Sequence, residues 1–100
     1  MKSMDIREYE STIEVSLSGS IDLPSIKDFT ETFDRLCANE SKNIELDLSE
    51  VSYIDSTGMS LLLKLFKHQK QLGLQFAISR VSDRVASLIS LCSLSETLRQ

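Results

Sequence analysis

A short polar cluster, Asp55-Ser56-Thr57-Gly58, lies between a strand pattern and a helix pattern. Before it, residues 43–48 alternate between apolar and polar side chains, which is the period of a β-strand. After it, residues 59–67 are rich in leucine and predict an α-helix. The cluster is therefore expected at a helix N-terminus, at one end of a sheet. A hydroxyl in that position either caps the helix or is a site where another protein adds and removes a phosphate.

The N-terminal half predicts a hairpin followed by a helix. Residues 4–9 and 12–17 have strand patterns, and the residues between them suit a tight turn. The segment Gly19-Ser20-Ile21-Asp22 is expected to break the strand pattern. Pro24 then falls in the first turn of a helix, where its missing N–H is no loss, and the helix is predicted to end near Asn39.

The C-terminal half continues the alternation of helices and strands. The leucine-rich helix is predicted to end at Gly73, and residues 74–78 to form the next strand. Asp83 is expected to cap a third helix, and residues 94–100 to add a short helical turn. Helices between strands imply parallel crossovers, so the chain is predicted to be an α/β protein, in which helices pack on a mixed sheet with an N-terminal hairpin.

The helix after the cluster is apolar over more of its circumference than one buried stripe requires. Leu62 and Phe66 are predicted to face the sheet together with Met59 and Leu63. Leu61 and Leu65 then fall on a flank. Either a binding partner or a neighbouring helix is expected to cover that flank.

The composition is that of an ordinary globular domain. The 100 residues are 41% hydrophobic and 26% charged, which fits one domain spanning residues 1–100. The net charge of -4 disfavours binding to nucleic acid or to an anionic membrane surface. The sequence has neither an apolar run of transmembrane length nor a signal-peptide pattern. We therefore expect a cytoplasmic protein with Cys37 and Cys92 as buried, reduced thiols.

The sequence offers no complete set of catalytic or metal-binding groups. His68 is the only histidine, and it lies in a polar stretch of helix with no cysteine paired to it in sequence. Asp22, Asp47 and Asp55 could cluster at one end of the sheet and bind a cation, but each is better explained as a turn or cap residue. We therefore predict no metal, no cofactor and no enzymatic activity.

Three features favour a functional role of the polar cluster over simple capping. Asp55, Ser56 and Thr57 are all capping residue types, although one would suffice. Gly58 in the first helical turn costs about 0.5–1 kcal/mol relative to alanine, which suggests that close approach or access matters there. The third feature is the wide apolar surface of the helix that follows.

Residues 47–59, which contain the cluster, resemble the signature of the bacterial anti-sigma factor antagonists, the single-domain STAS proteins. Gly19-Ser20-Ile21-Asp22 resembles the family's strand-end turn with its acidic residue. Residues 71–74 are similar to the junction after the family's second helix, and residues 81–94 to its final amphipathic helix. The resemblance covers nearly the whole chain and implies the same mixed sheet with helices.

The resemblance implies a cytosolic switch protein with Ser56 as its phosphoacceptor. A GHKL-type serine kinase, usually the anti-sigma factor itself, would phosphorylate Ser56. A PP2C-like serine phosphatase would reverse the step. The unphosphorylated form would bind the kinase-like partner and release whatever that partner restrains.

The surface around Ser56 is predicted to bind this partner. The turns after Leu17 and after Leu48 are expected to be neighbours, because strand ends that precede helices meet at one edge of a sheet. A partner that senses Ser56 should therefore contact both turns. The residues predicted to bind it are Ser20, Ile21, Asp22, Asp55, Thr57, Gly58, Met59, Ser60 and Leu63.

Two alternative functions belong to other classes. One is a STAS scaffold that is not phosphorylated and docks on a transporter ATPase. The other is a small enzyme that uses the acidic turn residues, although the sequence shows no paired base. A kinase and a phosphatase encoded beside this chain would favour the switch, and transporter genes would favour the scaffold.

Overall fold

The computed structural model describes residues 4–91, which form four strands and three α-helices. In chain order the elements are β1 (Met4–Glu8), β2 (Thr12–Ile21), a 3₁₀ turn (Leu23–Ser25), α1 (Ile26–Cys37), β3 (Asn43–Ile54), α2 (Ser56–Gln71), β4 (Phe76–Val81) and α3 (Asp83–Leu91). The predicted order of strands and helices is confirmed, and so is the α/β class. Within this part of the chain, no helix combines the length and hydropathy that crossing a lipid bilayer requires.

The four strands form one mixed sheet in the order β1-β2-β3-β4. β1 and β2 pair antiparallel as the predicted hairpin, in which the Tyr9 N–H donates to the Thr12 carbonyl at 2.8 Å. β2 pairs with β3, and β3 with β4, in parallel. Since α1 and α2 are the crossovers between these parallel strands, the carboxyl ends of β2 and β3 lie side by side.

A single cluster of buried side chains connects the sheet to the helices. Buried residues alternate with more exposed polar ones along the first part of β3, as at Ile44 and Leu46. Phe29 and Phe33 of α1 and Val85 of α3 belong to the same cluster. The helices are therefore anchored on one core, which holds the strand ends in fixed positions.

Both parallel strands extend further than predicted. β2 continues to Ile21 and β3 to Ile54, beyond the predicted ends at residues 17 and 48. The register between them shifts twice, and these irregularities break the strict alternation that the prediction followed. Gly19, with φ of 83°, lies at the second shift. Residues 19–21 of the segment that was predicted to break the strand pattern are therefore part of β2, and only Asp22 follows it.

The start of α3 and the start of β4 also differ from the prediction. Ser82, rather than Asp83, caps α3, because its hydroxyl oxygen accepts an N–H of the first turn at 3.3 Å. Leu74 precedes β4 instead of beginning it, because its N–H donates to the Gln69 carbonyl at 2.8 Å. That bond closes α2 around Gly73, whose φ of 71° confirms the predicted helix end.

The flank of α2 that was predicted to be covered by a partner or by a neighbouring helix is largely buried within the chain. Leu65 is fully buried and Leu61 is half-buried against the core. α1 packs beside α2, so a neighbouring helix accounts for the wide apolar surface. Of the two alternatives for this flank, burial beneath a neighbouring helix is therefore the one that the structure shows for Leu65.

The cysteine predictions have different outcomes. Cys37 is a free thiol that is half-buried rather than buried, and this partial burial raises its pKa. Cys92 and the helical turn predicted over residues 94–100 lie outside the described residues.

Candidate functional site

The carboxyl ends of β2 and β3 meet at one edge of the sheet. Ile21 pairs with Ile54 at the last position of both strands. The Asp55 N–H donates to the Ile21 carbonyl at 3.3 Å. The turns that begin at Asp22 and Asp55 are therefore neighbours, as predicted, although each starts later in the chain than expected.

Asp55 joins the two turns through its carboxylate. Its Oδ1 accepts the Gly58 N–H at 3.0 Å and thereby caps α2. Its Oδ2 accepts the Leu23 N–H at 3.1 Å from the neighbouring turn. The hydrogen bond from Gly58, helped by the bond from Leu23, lowers the pKa of the Asp55 carboxyl, so this group is ionised at neutral pH.

Gly58 allows the start of α2 to approach the end of β2. A Cβ atom at this position would lie 2.3 Å from the Ile21 carbonyl oxygen and 2.7 Å from a side-chain carbon of Ile54. Both distances are much shorter than a van der Waals contact, so a larger residue would push the helix away from the strand end. The prediction that Gly58 marks a close approach is confirmed.

Ser56 is the first residue of α2 and is exposed to solvent. Within residues 4–91 its hydroxyl has no hydrogen-bond partner. By contrast, the Ser60 hydroxyl donates to the Ser56 carbonyl at 3.0 Å, and Thr57 is half-buried. Because Asp55 already caps the helix, the Ser56 hydroxyl is not needed for capping. It is an accessible hydroxyl at a helix N-terminus.

Asp22 organises the neighbouring turn and remains half-exposed. It caps the 3₁₀ turn, since its Oδ1 accepts the Ser25 N–H at 3.3 Å. The Ser25 hydroxyl lies 2.9 Å from the same oxygen and 2.6 Å from the Ser20 carbonyl oxygen. Ser20 and Asp22 are thus held in place by Ser25, which also accepts the Asp22 N–H at 3.2 Å.

Leu23 is a site residue that the sequence prediction missed. It is 66% exposed, more than any other large hydrophobic side chain within residues 4–91. Its backbone is fixed by the bond to Asp55, so an apolar side chain is presented next to the Ser56 turn. The signal in the sequence is an apolar residue inside a turn, between Asp22 and Pro24, where polar residues are usual.

Several residues that were predicted to contact a partner lie beneath the site. Ile21 is fully buried, Met59 is 6% exposed and Gly58 is also buried. Leu63 is half-buried and packs against the core. These four residues support the surface around Ser56, and the first three have little or no side-chain surface that a partner could contact.

Asp47 does not join Asp22 and Asp55, contrary to the possible cluster. It lies in the middle of β3, about 20 Å from the strand end at the usual rise per residue. There it lines a polar cleft of about 370 Å³ with Arg7, Glu14, Val15, Ser16, Glu45, Ser79 and Arg80. Among residues 4–91, no group of three or more His, Cys, Asp or Glu side chains is arranged to hold a metal ion.

The family model of the STAS domain matches residues 3–99. The chain belongs to the STAS domain family. Among similar STAS proteins, the anti-sigma-B factor antagonist of Listeria monocytogenes is 30% identical over 96% of this chain and 85% of its own length. The anti-sigma-B factor antagonist of Bacillus subtilis is 28% identical over 96% and 87%, respectively.

Solved structures share the STAS fold. An anti-sigma factor antagonist from Mycobacterium paratuberculosis superposes with a TM-score of 0.79 and 20% identity, covering 94% of this chain and 80% of that chain. The anti-sigma factor antagonist SpoIIAA in its unphosphorylated form gives a TM-score of 0.74 at 15% identity, covering 91% and 81%. The phosphorylated form of SpoIIAA gives 0.71 at 14% identity, covering 93% and 86%. The family resemblance and the fold predicted from the sequence are thus confirmed.

Proposed function

We propose that this STAS protein is a partner-switching regulator controlled by phosphorylation of Ser56. The observation that carries the proposal is the exposed Ser56 hydroxyl, which lacks a partner within residues 4–91 although it lies at a helix N-terminus. Two relatives are named anti-sigma-B factor antagonists, and SpoIIAA is known in an unphosphorylated and a phosphorylated form. Both facts support the same role for this chain.

The proposed partner is a GHKL-type serine kinase that acts as an anti-sigma factor, with a PP2C-like phosphatase to remove the phosphate. The unphosphorylated chain binds the kinase and releases the protein that the kinase restrains. The partner-binding surface consists of the exposed or half-exposed residues around Ser56, namely Ser20, Asp22, Leu23, Asp55, Thr57 and Ser60. In this role the chain acts in the cytoplasm, as one domain over residues 1–100, and catalyses no reaction itself.

The electrostatics of the surface explain how a phosphate would release the partner. A phosphoserine adds about 1.5–2 negative charges at neutral pH, next to the ionised Asp55 carboxylate. The N-terminus of α2 partly stabilises that charge in the free protein. Within residues 4–91, no lysine or arginine forms an ion pair with Asp22 or Asp55 that could offset it.

The larger effect arises in the complex. A partner surface that fits a neutral hydroxyl and the apolar Leu23 would have to bury a dianion, which is costly without matched cations. Phosphorylation should therefore weaken the complex while it leaves the fold unchanged.

Phosphopeptide mapping after incubation with the cognate kinase tests the phosphoacceptor. We expect the phosphate on Ser56, and no labelling of the Ser56→Ala variant. Thr57→Ala and Ser60→Ala are the matched controls, because both remove a neighbouring hydroxyl and should be labelled like the wild type. A phosphate mainly on Thr57 or Ser60 would refute the assignment, and no phosphorylation at all would favour the transporter scaffold.

Binding measurements with the purified partner test the switch itself. Ser56→Ala should bind the partner irrespective of the kinase reaction, and Ser56→Asp should bind weakly. Loss of the serine at the first helical position should cost no more than about 1 kcal/mol of stability, because Asp55 remains as the cap. Equal affinities of the two variants, both with native circular dichroism spectra, would rule the mechanism out.

A further inference from the structure

Among residues 4–91, no strand pairs with the outer edge of β1. All residues of this strand after Met4 are exposed, and its inner edge is paired with β2. An exposed strand edge carries unpaired backbone donors and acceptors and invites a further strand. The backbone pattern and the side-chain charges of β1 indicate which strand would pair with this edge.

The hairpin register determines which backbone groups point outward. The Tyr9 N–H donates to the Thr12 carbonyl, so this pair is hydrogen-bonded. Hydrogen-bonded and non-hydrogen-bonded positions alternate along an antiparallel pair. Arg7 and Asp5, two and four residues earlier in the strand, therefore direct their N–H and C=O groups toward β2. The N–H and C=O groups of Ile6 and its alternate neighbours point away from the sheet.

We propose that β1 pairs with β1 of a second copy of this chain, antiparallel and centred on Ile6. The outward N–H and C=O of each Ile6 then bond to those of the other copy. The same arrangement opposes Asp5 of each chain to Arg7 of the other. Opposite charges at directly facing positions of an antiparallel pair are stabilising, so the sequence around Ile6 is complementary to itself.

Other registers of the same pairing are less favourable. A two-fold axis at Asp5 would oppose two carboxylates, and an axis at Arg7 would oppose two guanidinium groups. If the register of the two strands shifted by one residue, each outward-directed backbone group would lie opposite an inward-directed one, and the ladder of hydrogen bonds would not form. The pairing centred on Ile6 satisfies both the backbone and the charges.

The side chains of Asp5, Ile6 and Arg7 are accessible for these contacts. Asp5 and Arg7 form an ion pair at 3.5 Å within the chain, yet their side chains are 57% and 69% exposed. Ile6 is 37% exposed and lies beside the fully buried Val15, so pairing would extend the apolar face of the sheet across the two-fold axis. A five-residue strand buries less than the roughly 1,200 Å² of a standard interface, which predicts a dimer that forms reversibly with concentration.

This dimer is compatible with the proposed function but does not depend on it. The two sheets join into one continuous sheet in which the strands of one copy run opposite to those of the other. The two Ser56 sites therefore lie at opposite ends of the dimer, and neither is covered by the pairing.

Sedimentation equilibrium over micromolar to millimolar concentrations tests the proposal by charge exchange. The wild type should show a monomer–dimer equilibrium. Asp5→Arg and Arg7→Asp should each lower the association constant by about tenfold or more, because like charges then face each other twice. The double variant with both substitutions should restore dimerisation, since the complementary pattern returns in reverse.

An equimolar mixture of the two single variants provides the sharpest test. One chain then carries two positive charges at these positions and the other carries two negative charges. The mixed dimer should therefore form at concentrations at which each variant alone associates weakly. Hydrogen exchange of the Ile6 amide should slow as the wild-type concentration rises. A wild type that stays monomeric throughout, or single variants that dimerise as it does, would overturn the proposal.

Discussion

The carboxylate of Asp55 accepts the backbone N–H of Leu23 at 3.1 Å, although the two residues are 32 positions apart in sequence. The same carboxylate caps α2, so one side chain fixes both the Ser56 turn and the turn that presents Leu23. An accessible hydroxyl and an exposed apolar side chain are thereby held side by side. A partner that contacts the Leu23 side chain would therefore also lie close to the Ser56 hydroxyl.

Leu23→Ala should weaken binding of the proposed kinase partner without changing the fold. Truncation of a leucine that a partner covers removes apolar area from the interface, and we expect a loss of about 1 kcal/mol, or about fivefold in affinity. Leu72→Ala is the matched control, because Leu72 is also an exposed leucine but lies at the opposite end of α2. Calorimetric titration of both variants measures the difference. Equal effects of the two substitutions would place the interface elsewhere.

Asp22 is expected to steer the association with a basic surface of the partner. Asp22→Asn removes the charge but keeps a residue that caps the 3₁₀ turn, so the turn should persist. Stopped-flow measurements should show an association rate lower by about twofold to tenfold, with a weaker dependence on salt. Glu40→Gln changes an exposed charge in the loop between α1 and β3 and should have little effect. If both variants associate equally slowly, Asp22 has no specific role.

Gly58→Ala should destabilise the protein even though alanine favours helices. The added methyl group would overlap the Ile21 carbonyl oxygen and Ile54, and overpacking of this kind costs about 1–3 kcal/mol. Urea denaturation should therefore show a lower free energy of unfolding. Lys67→Ala, an exposed substitution in the same helix, should leave stability nearly unchanged. An unchanged or increased stability of Gly58→Ala would contradict the close approach of α2 to β2.

The Asp55 carboxylate should make stability depend on pH in the acid range. Its pKa is lower in the folded than in the unfolded chain, where the ordinary value is about 3.9. The stabilisation is therefore complete above that value and is lost as the pH falls through the folded pKa. Asp55→Asn should be less stable than the wild type at neutral pH, with a difference that shrinks on acidification. Asp28→Asn, which alters an exposed carboxylate on α1, serves as the control in urea titrations at each pH.

Gln69 should stabilise the fold at the end of α2 that lies opposite to Ser56. It is fully buried, and its amide nitrogen lies 3.0 Å from the Lys42 carbonyl oxygen and 3.2 Å from that of Gln75. Gln69→Leu would remove both of these hydrogen bonds, although the Lys42 carbonyl would keep its bond from the Asn39 side-chain amide and the Gln75 carbonyl its bond from the Ile44 N–H. At the usual net contribution of a hydrogen bond, the loss should cost about 1–3 kcal/mol of stability. Gln71→Leu, at an exposed position of the same helix, should cost much less in the same denaturation experiment.

The sequence predicted the order of elements and the polar cluster because both depend on local patterns. Strand alternation, the cap residue Asp55 and the left-handed Gly73 are each readable within a few residues. The extended ends of β2 and β3 were missed because bulges interrupt the alternation, and a bulge depends on the partner strand.

The sequence predicted which residues lie near Ser56 better than it predicted which of them are exposed. Met59 and Ile21 adjoin the turns in sequence but point into the core, whereas Leu23 is apolar and yet exposed. Likewise, only the packing of α1 beside α2 decides that Leu65 is buried. These properties follow from tertiary contacts, which no short sequence window contains.

The pairing of Ile21 with Ile54 also has a consequence for newly made chains. The Ser56 surface is assembled from two segments that are separated by the whole of α1 and β3, so it is absent until the parallel ladder between β2 and β3 has closed. A chain that is still folding can display Ser56 in its sequence without displaying the surface that surrounds it. If the proposed partner contacts both turns, it should therefore bind only chains in which β2 and β3 have paired.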